Sequence, residues 1–111
     1  MKPIIEYDDF EKLDLRVGKV LEAFEPEWSN KLIEMKVDFG QELGARTILA
    51  GLRKFINCAD LIGNKYVFII NLPERKLGEG VSQGMMLAAA GESIHLPLRV
   101  DDAIAEGSQI R

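Results

Sequence analysis

The side chains with the most chemical potential lie between Asn71 and Ala90, NLPERKLGEGVSQGMMLAAA. Within that stretch Gly80-Val81-Ser82-Gln83-Gly84 matches G-x-S-x-G, a pattern that presents a serine nucleophile at a strained strand-to-helix turn. Such a serine needs a histidine base and an acid to orient it. The single histidine, His95, stands thirteen residues on, with Glu92 the sole acid between them. The chain also lacks the length and the strand-helix alternation of a parallel-sheet hydrolase. No catalytic residue is therefore expected, and Ser82 reads as a loop serine. Glycines 78, 80 and 84 miss the dinucleotide fingerprint by one residue, and no G-K-[ST] occurs. Turn geometry accounts for them. Cys58 is the one cysteine, so it forms no internal disulfide and makes no metal cluster with His95. No metal and no cofactor are expected. What remains is polar and cationic: Arg75 and Lys76, followed by Ser82, Gln83 and Met85, a set suited to polyanion binding.

The net charge of −4 opposes that reading unless the charge is unevenly placed. It is uneven. Eight basic residues stand against five acidic ones between Lys31 and Lys76, a local +3 that leaves −7 for the remainder. Acidic residues gather in Glu6 to Asp14 and in Asp101 to Glu106. One cationic face on an acidic body would select by shape and resist indiscriminate polyanion binding.

The elements that must position these groups are short. At 111 residues the chain is one domain, able to bury roughly two-thirds of its unfolded surface. Its start offers no apolar run for a signal peptide, and no segment approaches the ~20 apolar residues of a membrane helix. A cytoplasmic protein with no membrane association is expected. Asp8 and Asp9 precede FEKLDL, which predicts a brief amphipathic helix. Leu15 to Phe24 predicts a strand whose alternation slips at Gly18-Lys19, a site for a bulge or sharp coil. A loop carrying Trp28 follows. Lys31 to Phe39 is the cleanest strand, with Ile33, Met35, Val37 and Phe39 on one face. Gly40 to Gly44 reads as a hairpin connection to a partner strand, Thr47 to Leu52. A helical turn at Ala59 to Gly63 precedes a buried strand, Tyr66 to Leu72, which feeds an exposed, flexible, cationic loop. Met85 to Ala90, Ser93 to Leu98 and Gly107 to Ile110 are expected to be further short strands. Several short strands with little helix predict an all-β barrel or sandwich.

Four ordered stretches carry a resemblance: DFEKLDLRVGKV (Asp9 to Val20), NKLIEMKVDFG (Asn30 to Gly40), RTILAGLRKF (Arg46 to Phe55), and NL, RKL and SQGMMLAA within Asn71 to Ala89. The chain resembles the tRNA-binding domain at the C-terminus of many methionyl-tRNA synthetases. Free-standing relatives are structure-specific tRNA-binding proteins and CsaA-type secretion chaperones. The resemblance implies a five-stranded OB-fold barrel over 15–90, an N-terminal arm with a short helix over 1–14, and a C-terminal extension over 91–111 that serves dimerisation. It implies non-catalytic, structure-specific binding of tRNA by a homodimer, with the alternatives of a peptide-binding chaperone for unfolded polypeptide or an accessory subunit of methionyl-tRNA synthetase.

Carried over by position, the family's binding face falls on Asn30, Lys31, Asn71, Arg75, Lys76, Ser82, Gln83 and Met85. Lys31, Arg75 and Lys76 would meet phosphates. Asn30, Ser82 and Gln83 would hydrogen-bond to sugar, phosphate or base, and Met85 would press on ribose or a base. Asn71 has a competing role as a turn cap and Met85 as core. The chain differs from the family's usual N-A-D-K-L in having Trp28-Ser29-Asn30-Lys31-Leu32, and Trp28 either stacks on a base or anchors its loop. It also differs at Pro73-Glu74 and Gly78-Glu79, which set carboxylates beside the basic pair.

Overall fold

The computed structural model describes all 111 residues. It is an all-β protein with only short helical segments. The chain begins with α1 (Tyr7–Glu11), whose N-terminus is closed by reciprocal bonds between Glu6 and Asp9. Strands β1 (Leu15–Phe24), β2 (Ile33–Asp38) and β3 (Ala45–Ala50) follow, then a 3₁₀ turn (Cys58–Leu61) and β4 (Lys65–Ile69). The later elements are β5 (Arg75–Leu77), β6 (Gly80–Ser82), β7 (Met85–Met86), β8 (Ala88–Ala90), β9 (His95–Pro97) and β10 (Arg99–Val100). No helix is long and apolar enough to cross a membrane.

The main sheet is antiparallel in the order β10-β4-β1-β2-β3, with β7 also on β4. Its organising element is β1, which is long enough to serve several partners. Leu15 to Lys19 pair with β4, and Lys19 to Phe24 pair with β2. The other edge of its first half is taken by the C-terminal tail, through Val17 N–H to Ser108 O and Ile110 N–H to Leu15 O. The expected irregularity in β1 is present but displaced. The register shifts between Val20 and Glu22, leaving Leu21 unpaired and exposed, whereas Gly18 stays in register opposite Tyr66. Gly18 is needed for another reason: a Cβ there would lie 2.5 Å from Val37 Cγ1 and 2.7 Å from Phe39 Cε1.

The core is the inner face of this curved sheet. Ile33, Met35, Val37 and Phe39 are buried as the alternation predicts, and Phe39 meets Phe68 edge to face at 5.2 Å. Four expectations differ in detail. The Gly40 to Gly44 connection is a helical turn, α2 (Gly40–Leu43), and the following strand begins two residues early. The stretch after β4 is no flexible loop but the hairpin β5–β6, a separate two-stranded sheet turned at Gly78-Glu79. Gly78 has φ +60, which suits the first central position of a two-residue hairpin turn. Met85 to Ala90 is two strands: β7 stays on β4, and β8 peels away after Leu87 to pair with β9. The terminal strand reduces to a single bridge, Arg16 to Gln109.

Candidate nucleic-acid interface

The edge of β3 is where the expected site takes shape, because the open side of the sheet is joined there through side chains. Buried Ser82 accepts the Leu49 N–H at 3.0 Å and donates to Gly84 O at 2.8 Å. Next to it, Gln83 donates its own N–H to Thr47 O at 2.8 Å, while its side-chain Oε1 accepts the Thr47 N–H at 2.9 Å. Its Nε2 donates to Glu74 Oε2 at 3.1 Å. Arg46 completes the join by donating to Ile70 O at 2.7 Å and Gln83 O at 3.2 Å. The Ser82-Gln83 pair thus substitutes side-chain acceptors for part of a strand ladder. Its bonding capacity is committed to the protein itself.

Asn71 is committed in the same way. Its Oδ1 accepts the Asp14 N–H at 2.8 Å and its Nδ2 donates to Lys12 O at 2.7 Å, tying the N-terminal arm to the end of β4. Three of the polar residues expected to contact RNA therefore have internal duties. The remaining five are outside. Asn30 and Lys31 are exposed on the β1–β2 loop, Arg75 and Lys76 on β5, and Met85 on β7. Met86, and not Met85, enters the core.

The cationic side chains are unpaired. The four ion pairs join Lys12 to Asp9, Arg16 to Asp14, Arg53 to Glu25 and Lys65 to Glu106, so none engages Lys31, Arg75 or Lys76. Strand alternation sends Arg75 and Lys76 to opposite faces of the hairpin. Arg75 sits opposite Ser82 and Lys76 opposite exposed Val81. Of the eight basic residues between Lys31 and Lys76, Arg46, Arg53 and Lys65 are anchors bonded to backbone carbonyls. The cationic face is accordingly smaller than the count implied.

Arg53 is a residue that sequence reasoning left out. Its guanidinium pairs with Glu25 at 2.6 Å and donates to Pro26 O at 3.2 Å and to Ser29 O, while its N–H donates to Lys31 O at 3.2 Å. It fixes the loop that presents Asn30 and Lys31. Ser29 adds to this by accepting the Lys31 and Leu32 N–H groups, each at 3.2 Å. No local signal marks Arg53, because its partners lie more than twenty residues away. The G-x-S-x-G match lacks its machinery: the Ser82 proton goes to a carbonyl, and His95 stacks on Phe55 at 5.1 Å.

Comparisons with known proteins agree with this architecture. The family described as "Putative tRNA binding domain" matches residues 15–109. The chain is 44% identical over 106 residues to a methionine–tRNA ligase of Caldanaerobacter subterraneus, covering 96% of this chain and 16% of that enzyme. It is 41% identical to the corresponding ligase of Protochlamydia amoebophila, again covering 99% of this chain and only 15% of the relative. Among solved structures, a methionyl-tRNA synthetase-related protein from Pyrococcus horikoshii superposes with a TM-score of 0.93 at 31% identity, over 99% of this chain and all of that one. The chaperone CsaA from Bacillus anthracis superposes at 0.88 and 30% identity, over 98% of this chain and all of that one. With the family model matching residues 15–109 and relatives above 40% identity over nearly the whole chain, the chain belongs to the tRNA-binding domain family.

Proposed function

We propose that this domain binds tRNA without catalysis, as a homodimer of OB-type barrels, reading the folded shape of the RNA through its phosphates. The observation that carries the reading is the set Lys31, Arg75 and Lys76: three exposed, unpaired cations on two segments held against one barrel. Phosphate contacts position a protein on a nucleic acid, and folded RNA is recognised chiefly by backbone geometry. Asn30 and Met85 supply the hydrogen-bonding and apolar contacts beside them. Ser82, Gln83 and Asn71 serve by holding these segments in place. The exposed apolar side chains of both ends, among them Ile4, Ile5, Leu96 and Ile104, support self-association. Two sites on one dimer would engage one RNA with the second contact intramolecular.

The test compares folded tRNA with an unstructured RNA of equal length in the same salt. Preference for the folded molecule supports the reading, and equal binding of both contradicts shape recognition. Sedimentation of the free protein checks the dimer. A second reading, binding of unfolded polypeptide, is favoured by the likeness to CsaA. Retention of a reduced, unfolded protein with no retention of tRNA would decide for it. Docking on a methionyl-tRNA synthetase is a further form of the tRNA role, consistent with the ligases of which the chain matches a small part.

A further inference from the structure

The two cationic segments lie more than forty residues apart in sequence, and one aromatic side chain joins them. Trp28 is half-buried, with its six-membered ring laid over the turn of the β5–β6 hairpin. A Cβ on Gly78 would stand 2.5 Å from Trp28 Cζ3 and 2.7 Å from Cε3, and one on Gly80 would stand 3.0 Å from Cζ2. Gly78 admits the ring because it is glycine, and at Gly80 a Cβ would crowd Leu49 Cδ1 at 2.8 Å as well as the ring. On its other side the backbone of Trp28 belongs to the loop that Arg53 clamps through Pro26 O, Ser29 O and Lys31 O, the same loop that carries Asn30 and Lys31.

The hairpin needs such support. It is a two-stranded sheet of three residues a side, bonded to the barrel only where Ser82 and Gln83 meet β3, and an isolated two-stranded hairpin is marginal in water. Its far end, at Gly78, is held by the Trp28 ring. We propose that Trp28 is a positioning residue that locks the Asn30-Lys31 loop to the Arg75-Lys76 hairpin, making the two cationic segments one rigid surface. Its ring is committed to the turn and does not serve as a stacking platform for a base. The consequence for affinity rests on the tRNA reading; the mechanical coupling does not.

Amide exchange of the free protein tests the coupling without RNA. In Trp28→Ala the amides of 75–82 and 29–32 should exchange at least tenfold faster while β2 and β4 keep their protection, and Trp28→Phe should restore part of the loss. Trp28→Leu, which keeps an apolar side chain but not the flat ring, should accelerate the same amides. Gly78→Ala strains the turn at φ +60 as well as meeting the ring, so it is read through the emission of Trp28, the only tryptophan, which should shift to the red. Unchanged hairpin exchange in both Trp28→Phe and Trp28→Leu overturns the proposal, whether or not Trp28→Ala folds. With tRNA, a double-mutant cycle of Lys31→Ala and Lys76→Ala should depart from additivity by at least threefold in the parent and by less in a Trp28→Phe background. An additive cycle in the parent overturns the functional half. Accelerated hairpin exchange in the Trp28 variants, with a parent that binds no tRNA, upholds the strut and instead overturns the tRNA reading.

Discussion

A buried hydroxyl is tolerated when its hydrogen-bonding groups are satisfied, and Ser82 satisfies its own by taking the Leu49 N–H and giving its proton to Gly84 O. Replacing it by alanine strands a buried amide, a loss of about 1–3 kcal/mol that denaturant unfolding would register. Arg75 and Lys76 stand at the other extreme. Exposed and unpaired, they should be removable together with a stability change within about 0.5 kcal/mol, although binding falls. The pair of measurements separates side chains that build the site from those that touch the ligand. Gly18 is a third kind of residue, conspicuous only in the fold. Gly18→Ala would drive a methyl into Val37, Phe39 and Phe68 at under 3 Å, and overpacking of this kind costs about 1–3 kcal/mol in a melt.

At the scale of elements, the C-terminal tail is pinned by Lys65, buried on β4. Its ammonium donates to Asp102 O at 2.9 Å and Ile104 O at 2.6 Å and pairs with Glu106 at 2.9 Å. The hydrogen bond from Lys65 holds the Glu106 carboxyl below its ordinary value of 4.5, against the opposing effect of burial. A carboxyl lowered in the folded state contributes stability above its ordinary value and loses it as pH falls through the lowered one. Acid should therefore loosen the tail first. Glu106→Gln should be less stable than the parent at neutral pH and show a flatter acid limb as pH falls below the ordinary value of 4.5, read by unfolding at a series of pH values. Lys65→Ala removes the whole anchor and should cost about 3 kcal/mol or more.

Elements also show why parts of the structure were legible from sequence and others were not. β2 announces itself because its partners are local: a two-residue period places Ile33, Met35 and Val37 on one face whatever else the chain does. The short α1 and the 3₁₀ turn are fixed by capping residues within a few positions. The β5–β6 hairpin gives no such signal, since glycine-rich polar residues describe a mobile loop equally well. It is ordered by Trp28 from one side and by the β3 amides from the other, more than thirty residues away. For the same reason Ser82, Gln83 and Asn71 look available in sequence and are engaged in the fold. Nothing in a serine's neighbours reveals that a distant strand lacks an acceptor.

For the whole molecule the proposed function asks an acidic protein to hold a polyanion. Net charge sets long-range attraction or repulsion, but exposed charges more than about 10 Å apart are largely screened at moderate salt. A few cations on a rigid face can prevail locally. The acidic residues of the N-terminal arm and the tail then act against binding in other orientations. Glu74, held on Gln83, sits next to Arg75 within that face. Glu74→Gln should raise tRNA affinity a fewfold, and the gain should shrink as salt rises, because it removes a repulsion of the ligand and not a contact within the fold.

The central claim, that affinity for tRNA is carried by phosphate contacts from Lys31, Arg75 and Lys76, is tested most directly by the salt dependence of binding. Each phosphate contact contributes about −0.7 to −0.9 to the slope of log affinity against log salt. The account predicts steep loss of affinity with salt in the parent, and a slope flattened by about 1.4 to 1.8 in the double variant Arg75→Ala, Lys76→Ala. Equal slopes for parent and variant, or no binding of tRNA at the lowest salt, would contradict it.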